Sequence, residues 1–224
     1  MIKDNLKRVL ERIESAALRS GRTPQDVRLV VVTKTIGLNL VREVVKAGAE
    51  IIGENYIQEA REKIKGLEER VEWHFIGHLQ KRKASECVEL FELIHSLDSY
   101  KLAVELNKKG EQGSKKVRTL LQLNLSDEET KGGVRKEEAI PLVLQLMELK
   151  NISLEGLMTL PPFLEPEEVR PYFRELRLLR DEIAHETGLF LKELSMGMSN
   201  DFEVAIEEGA TLVRIGSAIF GPRR

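Results

Sequence analysis

The chain predicts an α/β fold: a closed barrel of eight parallel strands alternating with helices, with an extra helix in front. Three observations predict it. From residue 29 onward, short apolar runs alternate with stretches of helical spacing, the mark of successive βα units. Residues 29–34, LVVVTK, are apolar on both alternating faces, as in a parallel strand covered on both sides. There is also an internal echo. Ala47-Gly48-Ala49-Glu50-Ile51-Ile52-Gly53 parallels Glu208-Gly209-Ala210-Thr211-Leu212-Val213, continuing to Arg214-Ile215-Gly216, each a helix end, a glycine turn, a short strand and a glycine exit. Eight units with right-handed crossovers close most simply into a (β/α)8 barrel of the TIM type. The competing open, doubly wound sheet lacks a dinucleotide glycine fingerprint after its first strand. With no linker rich in Pro, Gly or Ser, residues 1–224 are expected to form a single domain.

In order, residues 3–19 place Leu6, Val9, Leu10, Ile13, Ala16 and Ala17 at helical spacing between charged positions, a leader helix within residues 1–20. Gly21, Thr23 and Pro24 end it. Strand 29–34 follows, then a helix over 38–47 stopped by Gly48. Residues 50–53 form the second strand, after which Asn55 and Gln58 predict a capping box. Residues 72–77 are the third, leading through His78 into a helix with Lys81, Arg82 and Lys83. Residues 91–96 are the fourth, with Ser99 as cap of the next helix. Residues 117–123 are the fifth and clearest, followed by the polar loop NLSDEETKGG and a helix over 136–149. Residues 153–158, the stiff Pro161-Pro162 turn and a helix over 167–186 ending at Gly188 come next. Strand 192–196, a second capping box from Asn200 and Glu203, and strand 212–216 complete the barrel.

Composition narrows the function. There are 35 Lys+Arg against 37 Asp+Glu, a net charge of −2, which argues against a general nucleic-acid binder; the Lys81–Lys83 run reads as a solvated helix face. The single cysteine, Cys87, makes no internal disulfide and no metal cluster, and reads as a small buried residue in a reducing compartment. The N-terminus has no apolar core of a signal peptide, and no run approaches a membrane span, so a cytoplasmic protein is expected.

Ligands gather at the carboxyl ends of barrel strands. Lys34 stands at such an end, where a desolvated amine can form a Schiff base with a carbonyl; the alternative is a lysine marking the strand's exit into solvent. The loops after the seventh and eighth strands read SMGMSND and RIGSAIFG. Their small residues let backbone N–H groups approach a phosphate, and Ser199 and Ser217 add hydroxyl donors; as helix caps they would need no ligand. Arg214 lies between Val213 and Ile215, where a buried charge needs a partner: a carboxylate, or a ligand's ring nitrogen or anionic group. An amine, a phosphate cradle and a buried arginine on one face suit a phosphorylated aldehyde. Pyridoxal 5′-phosphate is one candidate, and a phosphosugar bound by a Schiff-base aldolase is the other.

The segments VVVTK, GENYIQEA, WHFIGHLQ, GLMTLPP and SMGMSNDFEVAIEEGATLVRIGSAIFG together resemble the pyridoxal phosphate homeostasis protein family, single-domain relatives of the barrel half of alanine racemase. The resemblance spans nearly the whole chain. It implies a fold-type III barrel that holds the cofactor's aldehyde on Lys34, sets Arg214 against the pyridine nitrogen, and contacts the phosphate through Ser199, Gly216 and Ser217. It places Asn55 and Met196 close to the cofactor and assigns His78 no chemistry. Two loops depart from the family pattern. Thr35-Ile36-Gly37 stands where another basic residue is usual, and Lys131 sits in DEETKGG where a serine is common beside it. Lys131 reads as a solvated loop lysine, with a secondary cofactor site as the alternative.

Alanine racemase-like enzymes add a C-terminal β domain and use a tyrosine from the partner subunit as second acid/base. Here Tyr56, Tyr100 and Tyr172 all fall in predicted helices or at their starts. The first reading is therefore a monomeric, non-catalytic protein that holds and releases pyridoxal phosphate, with cofactor-dependent client enzymes as further partners. A low-activity amino-acid racemase and a phosphosugar aldolase are the alternatives.

Overall fold

A computed structural model of the chain describes residues 1–126 and 132–222. Lys131 lies outside them. Helix α1 (Ile2–Arg19) precedes strand β1 (Arg28–Val32), α2 (Leu38–Lys46), β2 (Ile51–Glu54), α3 (Ile57–Gly66), β3 (Glu72–Phe75), α4 (Ala84–Leu90), β4 (Leu93–Leu97), α5 (Tyr100–Gln112) and β5 (Val117–Asn124). The short strand β6 (Val134–Arg135) leads into α6 (Lys136–Met147), β7 (Ile152–Thr159), α7 (Pro166–Thr187), β8 (Glu193–Ser195), α8 (Phe202–Glu207), β9 (Leu212–Ile215) and α9 (Ser217–Phe220).

All pairings are parallel, and β1 pairs with both β2 and β9, so the sheet closes as β1-β2-β3-β4-β5-β7-β8-β9. The eight-stranded barrel expected from the sequence is present. The two-residue β6 was not expected; it attaches outside the ring, alongside the end of β5. Inside the barrel, Val30, Ile51, Leu93, Leu120, Met158 and Leu212 form a small apolar cluster, while the larger core lies between the sheet and its helices. This double burial explains why the strands read as continuous apolar runs.

The internal echo is structural. Gly48 and Gly209 adopt φ of 110° and 101°, where an L side chain is disfavoured, and each begins a turn back into a strand. The matching bonds Ala49 N→Val44 O (3.1 Å) and Ala210 N→Ala205 O (2.9 Å) close both helix ends alike. Gly188 ends α7 in the left-handed conformation, as expected, and Ser99 accepts from Leu102 N at 3.4 Å as the cap of α5. Both predicted capping boxes fail. Helix α3 starts at Ile57 with Tyr56 at the cap position, and α8 starts at Phe202 with Asp201 there; neither has a side-chain cap. In each case the helix starts one residue later than local pattern suggests, freeing Asn55 and Asn200 to line a cavity. In α1, Leu6, Val9, Ile13, Ala16 and Ala17 are buried but Leu10 is 45% exposed. The helix is fastened to the end of the chain through Arg12–Glu203 (2.9 Å), Arg19–Glu207 (3.0 Å) and Asn5 Nδ2→Ile219 O (2.8 Å).

The end of the barrel opposite Lys34 is closed by alternating charge. Arg28 bridges Glu193 (2.9 Å) and approaches Glu72 (3.7 Å); Arg118 bridges Glu72 (3.0 Å) and Glu155 (2.7 Å). A bulge in the β5–β7 register brings Glu155 to Arg118, and leaves Gly156 where any Cβ would collide with the Glu193 carbonyl. The Glu72 carboxyl is held down to about 2, first by its contact with His74 and then by Arg118. Because its folded value is depressed, its stabilisation is present above the ordinary value of 4.5 and is lost as pH falls from there toward about 2. Thermal melts across that window should fall less steeply for Glu72→Gln than for the unchanged protein. An equal fall would assign acid lability to other carboxylates.

Candidate functional site

A cavity of about 300 Å³ opens at the carboxyl ends of β1, β2, β3, β8 and β9. Lys34, Asn55, Ser199, Arg214, Gly216 and Ser217 all line it, so six residues far apart in sequence share one pocket. Met196 does not. It is fully buried in the core between sheet and helices, and Met198 lines the cavity instead, with Asp201, Val32 and Ile76. His78 is exposed, lies 3.5 Å from Asp98 and does not line the cavity.

Lys34 stands two residues beyond β1, half-buried, in a tight turn closed by Ile36 N→Thr33 O (2.9 Å). Thr35 adopts φ 64°, an unfavourable value for a β-branched residue, so the surroundings must impose it. They do so on both sides of the lysine. Thr33 Oγ1 donates to Glu54 Oε1 (2.5 Å), and the Thr35 amide donates to Glu59 Oε1 (2.7 Å). Lys63, buried on α3, ties these anchors together, donating to Thr33 O (2.6 Å), Glu54 Oε1 (2.6 Å) and Glu59 Oε1 (2.7 Å). Burial pushes the Glu54 carboxyl up, opposed by its bonds to Lys63 and Thr33. The clamp fixes the backbone that presents Lys34. Nothing in the local sequence distinguishes Lys63 from the other lysine of its helix.

Arg214 is 4% exposed and donates to Ser195 Oγ (2.5 Å) and Thr159 O (2.9 Å). Both partners are neutral. Among the described residues no carboxylate comes within ion-pair distance, and the guanidinium also borders the cavity. Burial lowers its pKa to about 10, with the nearby Asp201 opposing. Of the partners the sequence allowed, a ligand's acceptor is the one this setting leaves room for.

The exits of β8 and β9 are locked together: the Ala218 amide donates to Ser199 Oγ (3.3 Å), and Asp201 Oδ1 accepts from Met198 N (2.6 Å). Ser199, Gly216 and Ser217 are thereby neighbours, and Asn55 contributes a buried Oδ1 with no hydrogen-bond partner among the described residues. An amine, a guanidinium among neutral groups, a hydroxyl- and glycine-lined end and an orphaned amide oxygen fit a phosphorylated, ring-nitrogen-bearing aldehyde. The rim carries exposed Phe163 and half-exposed Leu160 and Leu164 from the turn after β7, which sequence reading passed over.

Comparison with known proteins agrees with this architecture. Residues 4–224 match the family described as alanine racemase, N-terminal domain. A pyridoxal phosphate homeostasis protein of Aquifex aeolicus is 47% identical over 223 residues, covering 99% of this chain and 98% of the relative. That of Escherichia coli is 38% identical over 231 residues, covering 99% and 97%. The structure of PipY from Synechococcus elongatus with PLP bound superimposes with a TM-score of 0.87 at 33% identity, covering 99% of this chain and all of that one. An alanine racemase from Clostridium difficile, at 16% identity and a TM-score of 0.78 over 98% of this chain and 57% of its own, shares the fold. With this barrel, this cavity and these relatives, the chain belongs to the pyridoxal phosphate homeostasis protein family, within the alanine racemase N-terminal domain group.

Proposed function

We propose that this chain is a cytoplasmic carrier of pyridoxal 5′-phosphate, holding the cofactor covalently on Lys34 and releasing it to maintain the intracellular supply. The observation that carries the reading is the convergence on one cavity of the Lys34 amine and an Arg214 guanidinium partnered only by neutral oxygens. The names of the relatives and the PLP bound to PipY support it. Lys34 would hold the aldehyde carbon through its amine, one water leaving on attachment; release would take up one water, or an incoming amine would take over that carbon and free the Lys34 amine. Arg214 would meet the pyridine nitrogen as a donor. Ser199, Ser217 and the Gly216 backbone would hold the phosphate, and Asn55 Oδ1 would accept from a donor on the ligand.

When bound, pyridoxal phosphate supplies an electron-poor ring that can stabilise negative charge on an attached carbon. Arg214 works against that use, because a guanidinium donor disfavours a proton on the ring nitrogen. Tyr56, Tyr100 and Tyr172 are absent from the cavity lining, which leaves no tyrosine to move a second proton. Both points favour a carrier over a racemase, and the exposed apolar rim suits transient contact with client enzymes while the protein itself stays monomeric.

The test is an absorbance spectrum of the full chain with pyridoxal phosphate, before and after borohydride, with the modified peptide mapped by mass. A visible band lost on reduction and a pyridoxyl group on Lys34 are expected. No adduct under excess cofactor would return Lys34 to a plain surface role and favour a phosphosugar ligand. Loss of α-deuterium from labelled alanine at enzyme-like rates would favour the racemase.

A further inference from the structure

Four buried side chains run through the barrel from its charged floor to Arg214. His74 and His95 are fully buried, with ring centroids 4.9 Å apart. His74 Nε2 lies 3.0 Å from Glu72 Oε1, close but off the line of a good hydrogen bond. His74 Nδ1 lies 2.9 Å from His95 Nε2, His95 Nδ1 lies 2.9 Å from Ser195 Oγ, and Ser195 Oγ accepts from Arg214. The path therefore joins the end of the barrel opposite the cavity to a residue that lines the cavity.

Chemistry allows this chain only one direction. Arginine can only donate, so Ser195 Oγ accepts from it and keeps its own proton free to donate. A carboxylate can only accept, so the His74 nitrogen facing Glu72 must carry the proton; a bare ring nitrogen 3.0 Å from the carboxylate would be repelled. His74 Nδ1 is then an acceptor, His95 Nε2 a donor and His95 Nδ1 an acceptor for the Ser195 proton. The three hydrogen bonds all point from Arg214 toward His74, whose remaining N–H faces the Glu72 carboxylate. Burial keeps both imidazoles neutral, pushing their pKa values down, as this arrangement requires.

We propose that His95 and His74 are positioning residues: they transmit the polarity of Glu72 through Ser195 and so fix the guanidinium of Arg214 against the bound ring. This rests on the reading of Arg214 as the group that meets the pyridine nitrogen. A serine accepting from Arg214 while donating to His95 has its oxygen lone pair aimed in one direction, and bonds in such a chain strengthen one another. Without an acceptor at His95 the hydroxyl is free to rotate, and Arg214 loses a fixed anchor.

Two measurements on the full chain test it. In the cofactor-free, ¹⁵N-labelled protein at neutral pH, long-range ¹H–¹⁵N correlation should show both His74 and His95 as neutral Nε2–H tautomers. A Nδ1–H tautomer or a charged ring at either would overturn the chain's direction. In the second, dissociation of pyridoxal phosphate is followed by its absorbance. His95→Leu should release the cofactor roughly tenfold faster, the size expected for removal of one polar bond, while His95→Gln, which keeps an acceptor and a donor, should stay within about threefold of the unchanged protein. Wild-type release from His95→Leu, with Arg214→Gln faster, would sink the positioning role and leave the carrier reading standing. Wild-type release from both would remove Arg214 from the ring and the proposal with it.

Discussion

Replacing Lys34 with alanine is expected to abolish covalent cofactor binding and leave the barrel folded. The two consequences separate because different groups serve them. The Lys34 side chain lines the cavity, whereas the turn that carries it is held by its neighbours, through Thr33 on one side and Thr35 on the other. Alanine fills no worse a backbone position than lysine there. Because the residue is half-buried and stands outside the apolar core, the change in stability should stay within about 0.5 kcal/mol, a shift in Tm of roughly 2 °C or less for a chain this size. Over the same comparison, the borohydride-stable pyridoxyl adduct should vanish. Visible absorbance that survives unchanged in Lys34→Ala would move the covalent site to another lysine. Lys63 is the poorest replacement, since its amine is already committed to three oxygens.

Lys63→Met should be the most damaging single change on this face. Glu54 is fully buried and the Lys63 amine nearly so, at 2.6 Å. Removing the lysine leaves a buried carboxylate with only the Thr33 hydroxyl, and leaves the Thr33 carbonyl with the Ile36 amide and Glu59 with the Thr35 amide as their remaining donors. Breaking a buried pair from one side costs about 3–5 kcal/mol. For a chain of this length that is a fall in Tm of roughly 6–20 °C. The double change Lys63→Met with Glu54→Leu should recover most of the loss, because the uncompensated charge goes with its partner. It should not restore cofactor loading. Thr35 keeps its strained φ only while Glu59 and Lys63 enforce it, so Lys34 would be presented loosely. A single variant that melts with the unchanged protein would show that Glu54 accepts a proton instead, a route that its raised pKa already opens.

Much of this protein is legible in its sequence. Apolar runs buried on both faces, separated by helical spacing, have few solutions other than a parallel barrel, and the paired glycine turns at Gly48 and Gly209 repeat because the same helix-to-strand return is made twice. Strand exits could be read as well, since a barrel puts them all on one face; that gathered Lys34, Asn55, Ser199, Gly216 and Ser217, while Arg214 stood out as a charge embedded in an apolar strand. The misses share a cause. Capping from Asn55 and Asn200 is a local expectation, and tertiary packing overrode it by starting each helix later and turning those side chains to the cavity. Met196 and Met198 differ by two positions, and only the course of the chain after β8 decides which one borders the cavity.

What the sequence determined by itself was which residue types arrive at the mouth of the barrel, because period and strand order are written in the pattern of apolar positions. What the tertiary structure alone decided was how those residues are held. Lys63 meets Glu54, and Glu72 is joined to Arg214 through His74, His95 and Ser195, only when strands β2, β3, β4, β8 and β9 and helix α3 are brought together. Such contacts join positions up to 100 residues apart along the chain. Their strength comes from exclusion of water, and no local stretch of sequence carries a record of that.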